Sequence, residues 1–334
     1  MGLPILPRSA FQGVQRPWLW RDERPRLGKE SWARLAGRVD ATLPTLTGQH
    51  RGADGTTRLL FTLADGAPVE AVHMPRAVRS PRVSLCLSTQ VGCAMGCAFC
   101  ATGGLGLRRN LSAAEMVAQV SLAMRHLGPS RGHALSLVFM GMGEPLCNVD
   151  ALERALEVLC HPAGLGIPER RITVSTSGWA PGIARLAAMR RRPALALSLV
   201  SAHQALRATL MPVARRWSLA ALREALVAWP LRAHEKITLE VVLLAGLNDR
   251  LADALELLGW CGDLLPVVNV NIIPFNSYPG ALFEAPSVEV VQAFIKVLQD
   301  RGARVTLRAS RGQDVQGACG QLAAGRLQAR SFST

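Results

Sequence analysis

The stretch CLSTQVGCAMGCAFC, residues 86–100, carries four of the eight cysteines of a 334-residue chain. It starts inside a strand-like run, RVSLCLS (82–88), where Val83, Leu85 and Leu87 alternate with Ser84, Cys86 and Ser88. A helical pattern follows from Ser112, and the Ser112–Glu115 spacing is that of a capping box. The rhythm then repeats, with strands at 134–140, 170–176, 194–200, 236–244 and 267–273 and helices at 149–160, 181–192, 218–229, 250–261 and 287–302. Six strand–helix units of this kind predict an α/β fold with a parallel sheet and right-handed crossovers. A doubly wound sheet and an incomplete barrel both satisfy the pattern. The apolar strands fit burial on both faces. Either way, ligands belong at the carboxyl ends of the strands. The cysteine loop, GMGEP (141–145), STSG (175–178) and NSYPG (276–280) all fall there.

Outside this rhythm, residues 1–50 are rich in Arg, Trp and Pro, with one short helix expected over 29–43. Residues 56–75 read as a β-hairpin around the turn signal Ala64-Asp65-Gly66. A last strand over 303–310 leads to Cys319. The division expected is a helical extension over 1–50, a hairpin over 51–81, a strand–helix body over 82–302 and a cysteine-bearing tail over 303–334.

Lys and Arg number 38 against 24 Asp and Glu, and all but Lys29, Lys236 and Lys296 of the basic residues are arginines. Arginine codon bias explains such a bias blandly. A polyanionic partner explains it functionally, because the guanidinium grips phosphate and stacks on bases. The opening MGLPILPRSAF has no secretory h-region. The apolar runs are far below the roughly 20 residues that span a bilayer. A cytoplasmic, reducing setting with no membrane partner is therefore expected, where cysteines serve as thiols, metal ligands or catalysts.

Cys93, Cys97 and Cys100 form C-x3-C-x2-C. Structural zinc wants four protein ligands, and no second pair or nearby His completes a set. A [4Fe–4S] cube held by three thiolates instead keeps one iron open to a substrate. This spacing, with Phe99 before the last cysteine, resembles the radical S-adenosylmethionine (SAM) superfamily. The resemblance implies a (β/α)6 partial barrel, a [4Fe–4S] cluster on Cys93, Cys97 and Cys100, and SAM on its open iron. It also implies SAM contacts from Gly143, Glu144, Ser175, Ser198, Val200 and Asn276, with Gly141 and Gly143 allowing close backbone approach and Glu144 accepting from the methionine ammonium.

Six stretches together narrow it further: SLCLSTQVGCAMGCAFCATG, RNLSAAEMVAQV, VFMGMGEPLCN, RRITVSTSG, NIIPFNSYPG and RGQDVQGACGQLA. From about Thr56 to Leu322 the chain resembles the RNA adenosine methyltransferases of the RlmN and Cfr group. That likeness implies methylation of adenine C2 in 23S rRNA, with tRNA a further substrate to test, by a monomer served by an electron donor such as flavodoxin. It implies that Cys319 carries the methyl group, that Cys86 resolves a protein–RNA crosslink through a transient disulfide, and that Glu70 accepts the proton from the base. C8 enzymes of the group share every cysteine, so C8 methylation stands as the alternative, and a metal-stabilised RNA-binding protein as the non-enzymatic one. Cys147, Cys160 and Cys261 read as inert thiols.

The chain departs from the family pattern at several places. Val200 stands where the family has His, Gly104 and Arg108 replace expected polar residues, and three extra residues separate Glu70 from Cys86. The first 55 residues do not read like the family's helical RNA-recognition domain. Arg108, Arg109, Arg308 and Arg311 are candidates for RNA backbone contacts, while Arg190, Arg191 and Arg192 read as a solvated helix end.

Overall fold

The computed structural model describes residues 43–76, 82–127 and 134–322. The helix expected over 29–43 lies almost wholly outside them. Strands β1 (Thr45–Arg51), β2 (Thr57–Thr62) and β3 (Pro68–Arg76) form an antiparallel meander. The expected hairpin is thus β2–β3, joined by a third strand drawn from the segment read as helical extension. β1 has exposed residues at most positions, so its alternation carries little hydrophobic signal.

β3 pairs antiparallel with β4 (Arg82–Cys86), which begins the parallel part of the sheet. After the short hairpin β5 (Gln90–Gly92) and β6 (Leu107–Asn110) come α1 (Ala113–Leu127), β7 (Ala134–Phe139), α2 (Val149–Cys160), β8 (Ile172–Thr176), α3 (Ala180–Ala187) and β9 (Ala194–Ser198). Then follow α4 (Gln204–Leu210), α5 (Leu219–Val227), β10 (Ile237–Leu243), α6 (Leu251–Cys261), β11 (Val268–Pro274), α7 (Val288–Asp300) and β12 (Val305–Leu307). The strand order is β1-β2-β3-β4-β7-β8-β9-β10-β11-β12, every pair from β4 onward parallel. This sequential order excludes the doubly wound alternative, whose strand order reverses at a switch point.

The sheet curls into a partial barrel. Side chains from β3, β4, β7, β8, β10, β11 and β12 line one cavity of about 770 Å³. The loop after β12 reaches back to the β1–β2 turn, where Asp314 accepts from the Ala53 amide at 2.8 Å and Arg311 bonds Asp54. Burial on both faces is corrected by this shape. Leu85, Leu137, Val174, Leu197, Leu239 and Ile272 are buried on the helix side. Ser84, Thr173, Thr238, Asn269 and Asn271 face the cavity. The alternation is that of strands with one apolar and one polar face.

The capping box forms as read: the Ser112 amide donates to Glu115 at 2.8 Å and the Glu115 amide to Ser112 Oγ at 3.2 Å. Arg109 bonds both Glu115 and Asp65, tying α1 to the β2–β3 turn. The Arg109 hydrogen bond holds the Asp65 carboxyl down to about 2. A depressed carboxyl stabilises the fold above its unfolded value and loses that contribution as pH falls through the folded one. Acid titration of an Asp65→Asn variant is therefore expected to show weaker loss of stability between about pH 4 and pH 2 than the native chain.

α3 ends at Ala187, short of the expected 192. Arg192 is not solvated: it is buried, forms a two-point ion pair with Glu235 and lies over Trp229. Arg190 and Arg191 pair with Glu157 and Glu169. The helix α4 was not foreseen, since seven residues carry too little periodicity; His203 caps it by accepting from the Leu206 amide. Among the described residues no helix is long and apolar enough to cross a membrane.

Candidate active site

The loop between β5 and β6 carries the cysteine trio, and the GMGE loop after β7 folds over its base. Ser88 Oγ donates to Glu70 O at 2.6 Å and accepts from the Met142 amide at 2.8 Å. The Glu144 amide donates to Gln90 Oε1 at 2.8 Å, and Asn148 bridges the carbonyls of Thr89 and Leu111. A Cβ on Gly143, whose φ is +99°, would lie 2.5 Å from Gln90 Cβ; one on Gly141 would lie 2.7 Å from Leu87 O. The close approach those glycines permit is to the chain's own loop. Gly143→Ala combines overpacking with a left-handed backbone and is expected to cost about 1–3 kcal/mol, read as a lowered midpoint in denaturant unfolding.

A second cavity, about 160 Å³, gathers most of the predicted site. Cys93, Cys97, Cys100, Gly143, Glu144, Ser175, Ser198, Asn276 and Cys319 all line it. Ser175 Oγ and Ser198 Oγ face each other at 3.5 Å from adjacent strand ends. Glu144 is buried, and its carboxylate already accepts from the Ser177 amide and hydroxyl, each at 2.7 Å, and from the Leu146 amide. It therefore locks the β7 and β8 loops together besides facing the pocket. Asn276 donates to Cys319 O at 3.1 Å and accepts from Gln313 at 2.9 Å. Its amide holds the C-terminal loop, a role that its motif did not reveal.

Val200 does not reach this cavity. It is buried at φ +64° among Leu210, Met211, Val213, Leu244 and Phe275. Its amide donates to Glu240 O, and its carbonyl accepts from Asn248. The left-handed turn after Ser198 swings the side chain away from the ligand side. A β-branched residue there is strained and is held by its packing.

Cys319 sits on a loop pinned to the cysteine loop. The Ala101 amide donates to Gly320 O at 2.7 Å and Thr102 Oγ1 to Leu322 O at 2.6 Å. Gln321 Nε2 adds a bond to Ser277 O at 2.6 Å. Cys319 lines both cavities, and Cys86 lines the larger one. So residues 233 positions apart in sequence share one space, both as free thiols. Burial pushes the Cys86 thiol up to about 12, with the charge of Cys319 adding to the rise and Arg308 opposing it.

Glu70 is 1% exposed and bonds Arg58 at 3.0 Å. It shares a face of β3 with Val72, which pairs with Cys86 across the sheet and lies under Gly317 of the C-terminal loop. Glu70 thus stands below the Cys319 loop but lines neither cavity. Of the four arginines picked for RNA, Arg108 is exposed, as expected. Arg109 and Arg311 are committed to internal bonds, and Arg308 points into the barrel.

The trio suits an iron–sulfur group on chemical grounds. Among the described residues no three His, Cys, Asp or Glu side chains gather closely enough for a single metal ion. Burial raises Cys93 to about 12 and lifts Cys97 and Cys100 as well. Beside them lies Arg207, fully buried, with Nε on Leu199 O, Nη2 on Ser177 O, and Nη1 without a hydrogen-bond partner. Burial lowers Arg207 to about 10, and the charge that opposes this is that of Cys97. A buried cation lacking a carboxylate partner fits an anionic thiolate–iron group. Sequence reading missed it because Arg207 belongs to the unforeseen α4.

The partial barrel, the trio and the adjoining strand-end pocket define a radical SAM protein, and residues 87–258 match the model of the Radical SAM superfamily. A solved radical SAM methyltransferase from Sphaerobacter thermophilus superposes with a TM-score of 0.81 at 41% identity, over 89% of this chain and 86% of that one. The dual-specificity RNA methyltransferase RlmN of Nitratidesulfovibrio vulgaris strain DP4 is 42% identical over 322 residues, 93% of this chain and 88% of that protein. The RlmN of Syntrophobacter fumaroxidans is 46% identical over 272 residues, 81% of this chain and 77% of that protein. The chain belongs to the RlmN family of radical SAM RNA methyltransferases. An alignment over 93% of the chain also enters the first 55 residues, so the likeness extends beyond the Thr56 limit read from motifs.

Proposed function

We propose that this chain methylates C2 of an adenosine in 23S rRNA, and of one in tRNA, by way of a methyl group carried on Cys319. The dual specificity stated in its relatives' names accords with two RNA substrates. The observation that supports the reading best is that Cys319 lines both the trio's pocket and the larger cavity, where Cys86 stands.

Cys93, Cys97 and Cys100 would hold the [4Fe–4S] cluster, and Ser175, Ser198, Gly143 and Glu144 would orient SAM against it. When bound, the pair would supply the electron and the radical that removes a hydrogen from the Cys319 methyl group, and would take one electron back as the ring loses its proton. The adenine ring carbon is electron-poor and does not attack a methyl cation equivalent, so the methyl must arrive as a carbon-centred radical. Asn276, Thr102 and Gln321 keep the Cys319 loop where that carbon meets both cofactor and base. Glu70, buried on β3 below that loop, is the carboxylate that would accept the ring proton. Cys86 then attacks the Cys319 sulfur, forming a disulfide and freeing the methylated base.

The test is anaerobic turnover with reconstituted cluster, SAM, reductant and protein-free 23S rRNA or tRNA, followed by nucleoside mass spectrometry. 2-Methyladenosine is the expected product. 8-Methyladenosine would assign the chain to the alternative regiochemistry, and 5′-deoxyadenosine without methylated RNA would reject these RNAs as substrates.

A further inference from the structure

The wall shared by the two cavities holds a charged pair that the chemistry above leaves unused. Arg308, just after β12, lies with Nη1 3.7 Å from Glu240 Oε1 of β10 and 3.5 Å from Met140 Sδ. Glu240 is 5% exposed, and its other oxygen accepts from Asn271 of β11 at 2.7 Å. A guanidinium aligned on a carboxylate would make two bonds of about 2.8 Å. One contact at 3.7 Å leaves most of the five donors of Arg308 turned elsewhere. Arg308 keeps 24% of its side chain exposed, but burying the Glu240 carboxylate costs several kcal/mol of hydration, which so loose a pair does not recover.

What else faces Arg308 is sulfur. Cys86 and Cys319 line the same cavity. Met140, whose sulfur touches Arg308, lines that cavity with both thiols. The charged and titratable groups facing Cys86 are Cys319, from the C-terminal loop, and Arg308. Arg308 shares that cavity with Glu240, Cys86 and Cys319.

We propose that Arg308 is a positioning residue for the thiol chemistry: held by Glu240 at the cavity wall, its guanidinium stabilises the Cys86 thiolate as it attacks Cys319. This rests on the crosslink reading above. In the step, Cys86 loses its proton to solvent through the open cavity, and its sulfur bonds the Cys319 sulfur. The bond from Cys319 sulfur to the methylene carbon breaks, its electron pair goes to that carbon, and a proton taken up there completes the methyl group. The Arg308 charge lowers the cost of the first event in a site where burial opposes a thiolate.

The experiment uses the holoenzyme carrying Cys319→Ser, so that Cys86 is followed alone, and measures iodoacetamide alkylation of Cys86 by peptide mass spectrometry. Arg308→Met is expected to slow alkylation about tenfold, equivalent to ~1.4 kcal/mol, and Arg308→Lys to restore most of the rate. Loosened structure would expose Cys86 and speed the reaction, so slowing cannot come from misfolding. An unchanged or faster rate in Arg308→Met overturns the proposal. With Cys319 intact, Arg308→Met should also accumulate the covalent RNA adduct. If slowed alkylation is found but Cys86→Ala itself yields no adduct, the crosslink reading fails while the thiolate assignment stands.

Discussion

Replacing Cys86 by alanine is expected to trap the protein covalently on its RNA, whereas replacing Cys319 by alanine abolishes the adduct altogether. The two thiols share a cavity, yet only Cys319 also lines the trio's pocket. On the proposed function, Cys319 is therefore the one expected to receive a methyl group and present it to both radical and base. Cys86, which lines only the larger cavity, is the one expected to displace it. Without Cys86 the carbon–sulfur bond has no thiol to break it, and turnover stops after a single crosslink. Denaturing gels of anaerobic reactions with labelled RNA read the contrast directly. Adduct formed by Cys319→Ala would reverse the two roles.

The second large effect lies in the trio. Alanine at any one of Cys93, Cys97 or Cys100 is expected to leave a chain with little bound iron, no brown chromophore and methyl transfer reduced at least about 10³-fold, because residues acting as a unit do not fail by halves. Far-ultraviolet circular dichroism should hardly change. The trio lies on a loop whose backbone is fixed by other contacts, such as the Cys93 amide on Gly106 O and the Ala98 amide on Leu210 O. Full activity without iron in such a variant would remove the cofactor assignment.

The sequence disclosed those parts of the molecule whose physics is local. The alternation in β4 placed Cys86 on the lumen face, the Ser112–Glu115 spacing marked the start of α1, and the trio marked the pocket. Curvature was not local: polar lumen residues such as Thr173, Thr238 and Asn271 looked like ordinary strand positions until a closed wall gave them a cavity to face. The direction of the Val200 side chain was not legible, because a motif position fixes neighbours in sequence, not the left-handed turn that redirects a side chain. The arginines misled for a similar reason. Arg192, Arg207 and Arg308 look like surface charge in composition, but each is spoken for by partners brought in from elsewhere in the chain, or by the cavity.

The methyl group is expected to reach RNA through Cys319. The most direct measurement supplies SAM with a trideuterated methyl group to unlabelled, reduced protein and follows the Cys319 peptide and the RNA nucleosides together in time. Label is expected on Cys319 first, then its loss as labelled methyladenosine appears with one deuterium replaced by hydrogen. Label reaching adenosine with all three deuteriums, or without ever visiting Cys319, would contradict it.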